Sequence, residues 1–228
     1  MLKRAVIFAN GELRDREKIK AQIDSGDFLI AVDGGHRHIK SLGLMSSLVI
    51  GDLDSMPKSD VQQLQNAGVE LLRFPPEKNE TDLELALLKA AAQGYLNILI
   101  VAGLGGRLDQ TLGNLSLLKS PGLANCRIKM DDGCVEVWNL KGGKYPEGLQ
   151  ILGEKGEVVS LLANGSHAKG IITQGLKYPL AGENLLPYQT RGISNEMLGT
   201  IARVSLSEGE LIVIHTRQGK KWFNKLEV

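Results

Sequence analysis

The chain has 228 residues, 43% of them hydrophobic and 23% charged, an ordinary globular composition with room for one large domain or two small ones. A formal net charge of +1 leaves no compositional case for nucleic acid or an anionic membrane surface as partner. Two cysteines, Cys126 and Cys134, supply neither a disulfide framework nor a zinc spacing, and the apolar run at 5–9 is too short for a signal peptide or a membrane span, so the expected location is the cytoplasm.

Apolar runs that read as strands follow one another at 5–9, 28–32, 48–50, 69–72, 98–101 and 127–130. Helical patterns lie between them. The clearest covers 82–93, with Leu83, Ala86, Leu87 and Ala90 at i, i+3, i+4 and i+7. Another covers 109–119, with a stripe of Leu108, Leu112, Leu115 and Leu117 or Leu118 that ends before Pro121-Gly122. This alternation predicts an α/β domain with a mostly parallel sheet covered on both faces.

After about Asp132-Gly133 the pattern changes to short, turn-rich β segments at 135–140, 157–162, 170–174, 200–206 and 211–216. Ser207-Glu208-Gly209-Glu210 reads as the loop of a hairpin joining the last two. The predicted organisation is therefore an α/β domain over 1–135 and a smaller all-β antiparallel sandwich over 136–228.

Five aspartates mark the turns of the first part. They are Asp33 in Asp33-Gly34-Gly35, Asp52 and Asp54 in Gly51-Asp52-Leu53-Asp54-Ser55, Asp82 after Thr81, and Asp109 in Gly105-Gly106-Arg107-Leu108-Asp109-Gln110. In an open α/β sheet such turns converge on the carboxyl edge, where ligands bind. Carboxylates gathered there repel one another unless a cation holds them, and hard oxygen ligands suit Mg²⁺. Arg107 and the nearby glycines suit phosphate oxygens. Asp52 and Asp54, at i and i+2 on an extended turn, would face the same cation.

Each motif also has a plain structural explanation. Asp52 or Asp54 could cap a helix, Thr81-x-x-Glu84 is a capping box, and Asp33-Gly34 is a common turn. The glycines before Arg107 fit neither the dinucleotide fingerprint nor a Walker-A loop. His36 and His38 are expected to be solvated, and His167 and His215 have no partner that the sequence identifies. Trp138, Trp222 and Tyr178 read as core or rim residues, although an aromatic ring could stack on a heterocycle. The conjunction of five aspartates in order is what points to a metal-bound polyphosphate.

These motifs closely resemble the thiamine pyrophosphokinase family, through Asp33-Gly34-Gly35, Gly51-Asp52-Leu53-Asp54-Ser55, the segment from Thr81-Asp82 to Leu87, and Gly105-Gly106-Arg107-Leu108-Asp109-Gln110. In the second half, Gly175-Leu176-Lys177-Tyr178-Pro179-Leu180 and Gly192-Ile193-Ser194-Asn195-Glu196 resemble that family's thiamine-binding segments. The resemblance implies transfer of pyrophosphate from ATP to the hydroxyl of thiamine, giving thiamine diphosphate and AMP with Mg²⁺, in a homodimer with active sites at the subunit interface. It also implies that Asp52, Asp54 and Asp82 belong to the metal–polyphosphate site and are catalytic together with Arg107 and Asp109. Asp33, Thr81, Arg107 and Gln110 would contact ATP; Ser194 and Asn195 would hold thiamine. Many members have Asp where Asn79 stands, and animal members have Lys at Leu85 and Trp at Tyr178, so the chain is closer to the bacterial branch. Other readings are a pyrophosphokinase with a pterin-type acceptor, a non-catalytic nucleotide or thiamine sensor, and a metal-dependent phosphohydrolase.

Overall fold

The computed structural model describes residues 3–75, 77–144 and 147–217, and the chain divides into two compact units, Met1–Gly133 and Cys134–Val228. Trp222 lies outside the described residues.

The first unit runs β1 (Arg4–Phe8), α1 (Arg16–Lys20), β2 (Phe28–Val32), a 3₁₀ turn (Asp33–Gly35), α2 (His36–Ser41), β3 (Leu48–Gly51), α3 (Lys58–Asn66), β4 (Glu70–Arg73), α4 (Asp82–Ala92), β5 (Asn97–Val101), α5 (Leu108–Leu117), a second 3₁₀ turn (Pro121–Leu123) and β6 (Arg127–Asp131). Its six strands are parallel, in the order β6-β5-β1-β2-β3-β4. The inner strands read as continuous Val, Ile and Leu because helices cover both faces. Val6, Phe8, Ala31, Val49, Leu99 and Val101 pack with Ile19 of α1, Ile39 of α2 and Leu64 of α3. By the pleat, Ile7, Ile30, Ile50 and Ile100 point to the other face, and all four are fully buried.

The order of the strands fixes where a ligand can sit. The chain steps outward from β1 through β4, then returns to build β5 and β6 on the other side of β1. The loops after β1 and β5 consequently leave in opposite directions and open a crevice at the carboxyl edge.

Helix α4 keeps its predicted stripe, with Leu83, Ala86, Leu87 and Ala90 all buried. Helix α5 does not bury its own. None of its residues is buried, and Leu108 and Leu112 are 72% and 55% exposed. Periodicity records that a helix has an apolar face; it does not say what covers that face.

The second unit comprises β7 (Val135–Lys141), β8 (Leu149–Leu152), β9 (Val158–Ala163), β10 (Ala168–Gln174), β11 (Ala181–Leu185), β12 (Asn195–Glu196), β13 (Ile201–Ser205) and β14 (Glu210–Thr216). They form two antiparallel arrays, β12-β9-β14-β7 and β11-β10-β13-β8, around a core that includes Leu140, Ile151, Val159, Leu161, Ile171, Val204, Leu211 and Val213.

The expected hairpin at Ser207–Glu210 is absent. β13 pairs with β10 and β8, whereas β14 pairs with β7 and β9. The loop carries the chain from one array to the other and is pinned to Lys169, whose carbonyl accepts from the Ser207 amide at 3.0 Å and whose amide donates to the Glu208 carbonyl at 2.9 Å. A short turn between two strands predicts pairing only when both belong to one sheet. Among the described residues no helix is long and apolar enough to cross a membrane.

Candidate active site

A cleft of about 350 Å³ opens at the carboxyl edge of the first unit, lined by residues that follow β1, β2 and β3 and by the amino-terminal parts of α4 and α5. Asp33, Asp52, Thr81, Asp82 and Gln110 of the predicted set line it.

Asp33 directly follows β2 in the left-handed region, with φ of 45°. The turn is tight: a Cβ on Gly35 would stand 2.0 Å from the Phe8 carbonyl oxygen, and one on Gly51 would stand 1.6 Å from Asp33 Oδ1. Gly51 is thus glycine because the Asp33 carboxylate fills the space of a side chain there. Asp33 Oδ1 is buried without a hydrogen-bond partner. Desolvation, followed by the carboxylates of Asp82 and Asp52, pushes the Asp33 pKa up to about 7, with Lys78 opposing the shift.

Asp52 and Asp54 do not lie on an extended turn. Leu53 has φ of 64° and is buried, so simple alternation does not apply. The Asp54 amide donates to Asp52 Oδ1 at 3.0 Å. Hydrogen bonding and charge from Asp52 raise the pKa of Asp54. Asp54 is exposed and does not line the cleft.

Thr81 caps α4, its hydroxyl accepting from the Glu84 amide at 3.2 Å, which carries Asp82 into the first turn. Asp82 Oδ1 stands 2.7 Å from Lys78 Nζ, at ion-pair distance but without hydrogen-bond alignment.

Arg107 and Asp109 are brought to each other rather than to the cleft. Arg107 Nε reaches Asp109 Oδ1 at 3.1 Å, and the two side chains are 72% and 65% exposed. Each holds the other charged: the guanidinium lowers the Asp109 pKa and the carboxylate raises that of Arg107.

Four polar lining residues escaped the sequence reading: Asn10, Lys78, Glu80 and Asn114. Asn10 follows the first strand, and Lys78 stands four residues before Asp82, which were the available signals. Asn79 is exposed and does not line the cleft, whereas its neighbour Glu80 does.

His36 and His38 are buried, not solvated. His36 Nδ1 meets Ser46 Oγ at 2.9 Å and His38 Nε2 meets the Gly11 carbonyl at 3.1 Å, so both anchor α2 to neighbouring loops. Desolvation lowers both pKa values.

In the second unit Ser194 has φ of 60° and is exposed, and its amide donates to Ser160 Oγ at 3.0 Å. Asn195 is buried, and its amide group clamps the backbone of Tyr178. Oδ1 accepts from the Tyr178 amide at 3.0 Å and Nδ2 donates to the Tyr178 carbonyl at 2.7 Å. The Tyr178 ring is left 60% exposed, with Lys177 Nζ 5.5 Å from its centroid. The two segments singled out in the sequence are therefore stitched together, helped by a bridge between Leu176 and Met197.

The metal donors that the cleft offers are all oxygen, among them an orphaned Asp33 oxygen, and the one basic residue of its lining among the described residues is Lys78. That chemistry fits a hard divalent cation. Among the described residues no three His, Cys, Asp or Glu side chains are already arranged to hold one.

An open parallel α/β unit with an acidic cleft at its switch point, followed along the chain by an antiparallel β unit, is an architecture in which polar ligands would meet the sheet edge. Residues 19–130 match the family model "Thiamin pyrophosphokinase, catalytic domain", and residues 136–211 match "Thiamin pyrophosphokinase, vitamin B1 binding domain". The chain is 28% identical over 194 residues to the thiamine pyrophosphokinase of Bacillus subtilis, covering 85% of this chain and 89% of that one. The crystal structure of thiamine pyrophosphokinase from Bacillus subtilis superposes with a TM-score of 0.81 at 26% identity, covering 94% of this chain and 99% of the other. That from Geobacillus thermodenitrificans gives 0.75 at 25% identity, covering 93% and 97%. The chain belongs to the thiamin pyrophosphokinase family and stands close to its Bacillus members.

Proposed function

We propose that this protein transfers the pyrophosphoryl group of ATP to the hydroxyl of thiamine, forming thiamine diphosphate and AMP. The observation that carries this reading is the succession, in one chain, of a match to the catalytic-domain model and a match to the vitamin B1 binding model. The domains proposed are 1–135 for ATP and metal and 136–228 for thiamine.

The hydroxyl oxygen bonds to the β-phosphorus while the bond from that phosphorus to the α–β bridging oxygen breaks, so AMP leaves with the bridging oxygen. Asp52 and Asp82, with Asp33 and Asp54 adjoining, would hold Mg²⁺, whose charge would offset that of the polyphosphate and of the departing AMP. Gln110, Asn114 and Asn10 line the cleft with neutral amides that hold the polyphosphate by hydrogen bonds. A cleft carboxylate receives the hydroxyl proton. Arg107 serves as a phosphate ligand only after leaving Asp109, which makes their pair a precursor arrangement. Tyr178 offers its exposed ring to the cationic thiazolium. A homodimer belongs to this reading, and the uncovered Leu108 and Leu112 on α5 support it.

The test is a product balance with purified protein, Mg²⁺, ATP and thiamine. The expected result is equal AMP and thiamine diphosphate, both abolished by chelation of the metal. AMP or phosphate formed without thiamine diphosphate would reassign the acceptor or make the protein a hydrolase.

A further inference from the structure

One basic side chain stands among the carboxylates of the cleft. Asp33, Asp52 and Asp82 share the cleft, and their mutual repulsion is countered there by Lys78, the only basic lining residue among those described. Its side chain is 13% exposed, its Nζ stands 2.7 Å from Asp82 Oδ1, and it lies 6.0 Å from the Phe74 ring centroid. The Lys78–Asp82 contact lacks hydrogen-bond alignment, so it is a charge contact that can be exchanged. Lysine suits such exchange: it is a compact point charge on a flexible stem, without the rigid fork by which arginine locks onto a carboxylate.

We propose that Lys78 is the resident counter-ion of the cleft, displaced from Asp82 by the divalent cation and then taken up by a polyphosphate oxygen of the nucleotide. The proposal rests on the pyrophosphoryl-transfer reading and deepens it. Metal and ammonium compete for Asp82 as long as the nucleotide is absent. Once a polyphosphate is present it accepts the ammonium, so metal and nucleotide promote each other's binding. Arg107 is not available for this role in the free chain, since it stands outside the cleft on Asp109.

The experiment measures Mg²⁺ binding alone, then MgATP binding, by calorimetry on the full chain and on Lys78→Gln and Lys78→Arg. The expected result has opposite signs for Lys78→Gln: Mg²⁺ alone binds roughly tenfold tighter, because a competing unit charge is gone. MgATP binds roughly tenfold weaker, because a charge-assisted contact is lost. Lys78→Arg keeps the competing charge on Asp82, so Mg²⁺ alone binds no tighter than in the wild type, which separates charge from a fault in folding. Unchanged or weaker Mg²⁺ binding in Lys78→Gln overturns the counter-ion role, as does a wild-type chain that takes up no Mg²⁺. Unchanged MgATP affinity overturns the phosphate role. Opposite-sign shifts in a protein that makes no thiamine diphosphate uphold Lys78 and overturn the assigned reaction instead.

Discussion

Two clusters of acidic side chains in this molecule differ in how far their charges are satisfied. In the second unit, buried Glu136 and Glu157 flank His215, whose Nδ1 and Nε2 meet their oxygens at 3.0 Å and 2.8 Å. Arg217 pairs with Glu136, and Glu157 also accepts from the Glu154 amide at 2.8 Å. In the cleft of the first unit, Asp33 has an orphaned oxygen and a raised pKa, and Asp82 has an unaligned lysine. The first arrangement is closed and holds strands together; the second is left open, and in the proposed reading it takes up a cation. Burial with complete pairing marks structure, whereas partial burial with incomplete pairing marks a site.

This contrast can be broken at either end. The largest effect is expected from His215→Ala, which leaves two buried carboxylates facing one another. Loss of about 3–5 kcal/mol of stability should follow, read as a lower urea midpoint, with turnover per folded molecule retained. A variant as stable as the wild type would show that the cluster contributes nothing.

Asp82→Asn should do the reverse. Activity falls by roughly 10²–10³, while the metal-free chain keeps or gains stability because one repelling charge is gone. Near-normal turnover would remove Asp82 from the machinery.

Asn195→Ala sharpens the comparison on the thiamine side. It frees the Tyr178 backbone and should cost about 1–3 kcal/mol, with KM for thiamine raised more than kcat is lowered. An unchanged KM would reduce Asn195 to a purely structural clamp.

The smallest effect is the pH response of the metal-free chain. The folded-state pKa of Asp33 lies above its unfolded value, so its contribution to stability is fully present below about pH 4 and is lost as pH rises to about 7. Mg²⁺ should therefore raise Tm more at pH 8 than at pH 5. Equal shifts at both would mean that the ion binds away from Asp33.

Much of this was legible beforehand where the signal was local. Thr81 and Glu84 formed the half of the capping box that the spacing required, and the buried face of α4 was the predicted one. The short strands β8, β11 and β12 were missed: β8 is only four residues long, β12 is only Asn195–Glu196, and β11 contains Gly182 and Asn184. Their existence depends on the partner strand rather than on their own composition. Arg107 was read toward phosphate, since spacing cannot reveal that Asp109, two residues on, already holds it.

Sequence alone determined the parallel α/β unit, the antiparallel unit after it and the presence of aspartates in the turns that follow strands, because periodicity, turn chemistry and the succession of elements are properties of short stretches. Only the tertiary structure decided which aspartates share the cleft, that Lys78 stands among them, that His215 is enclosed by two glutamates, and that the chain after β13 changes sheets. Those outcomes depend on contacts between residues far apart in the chain. Burial and electrostatics act through space, and a one-dimensional pattern carries no distance between its distant parts.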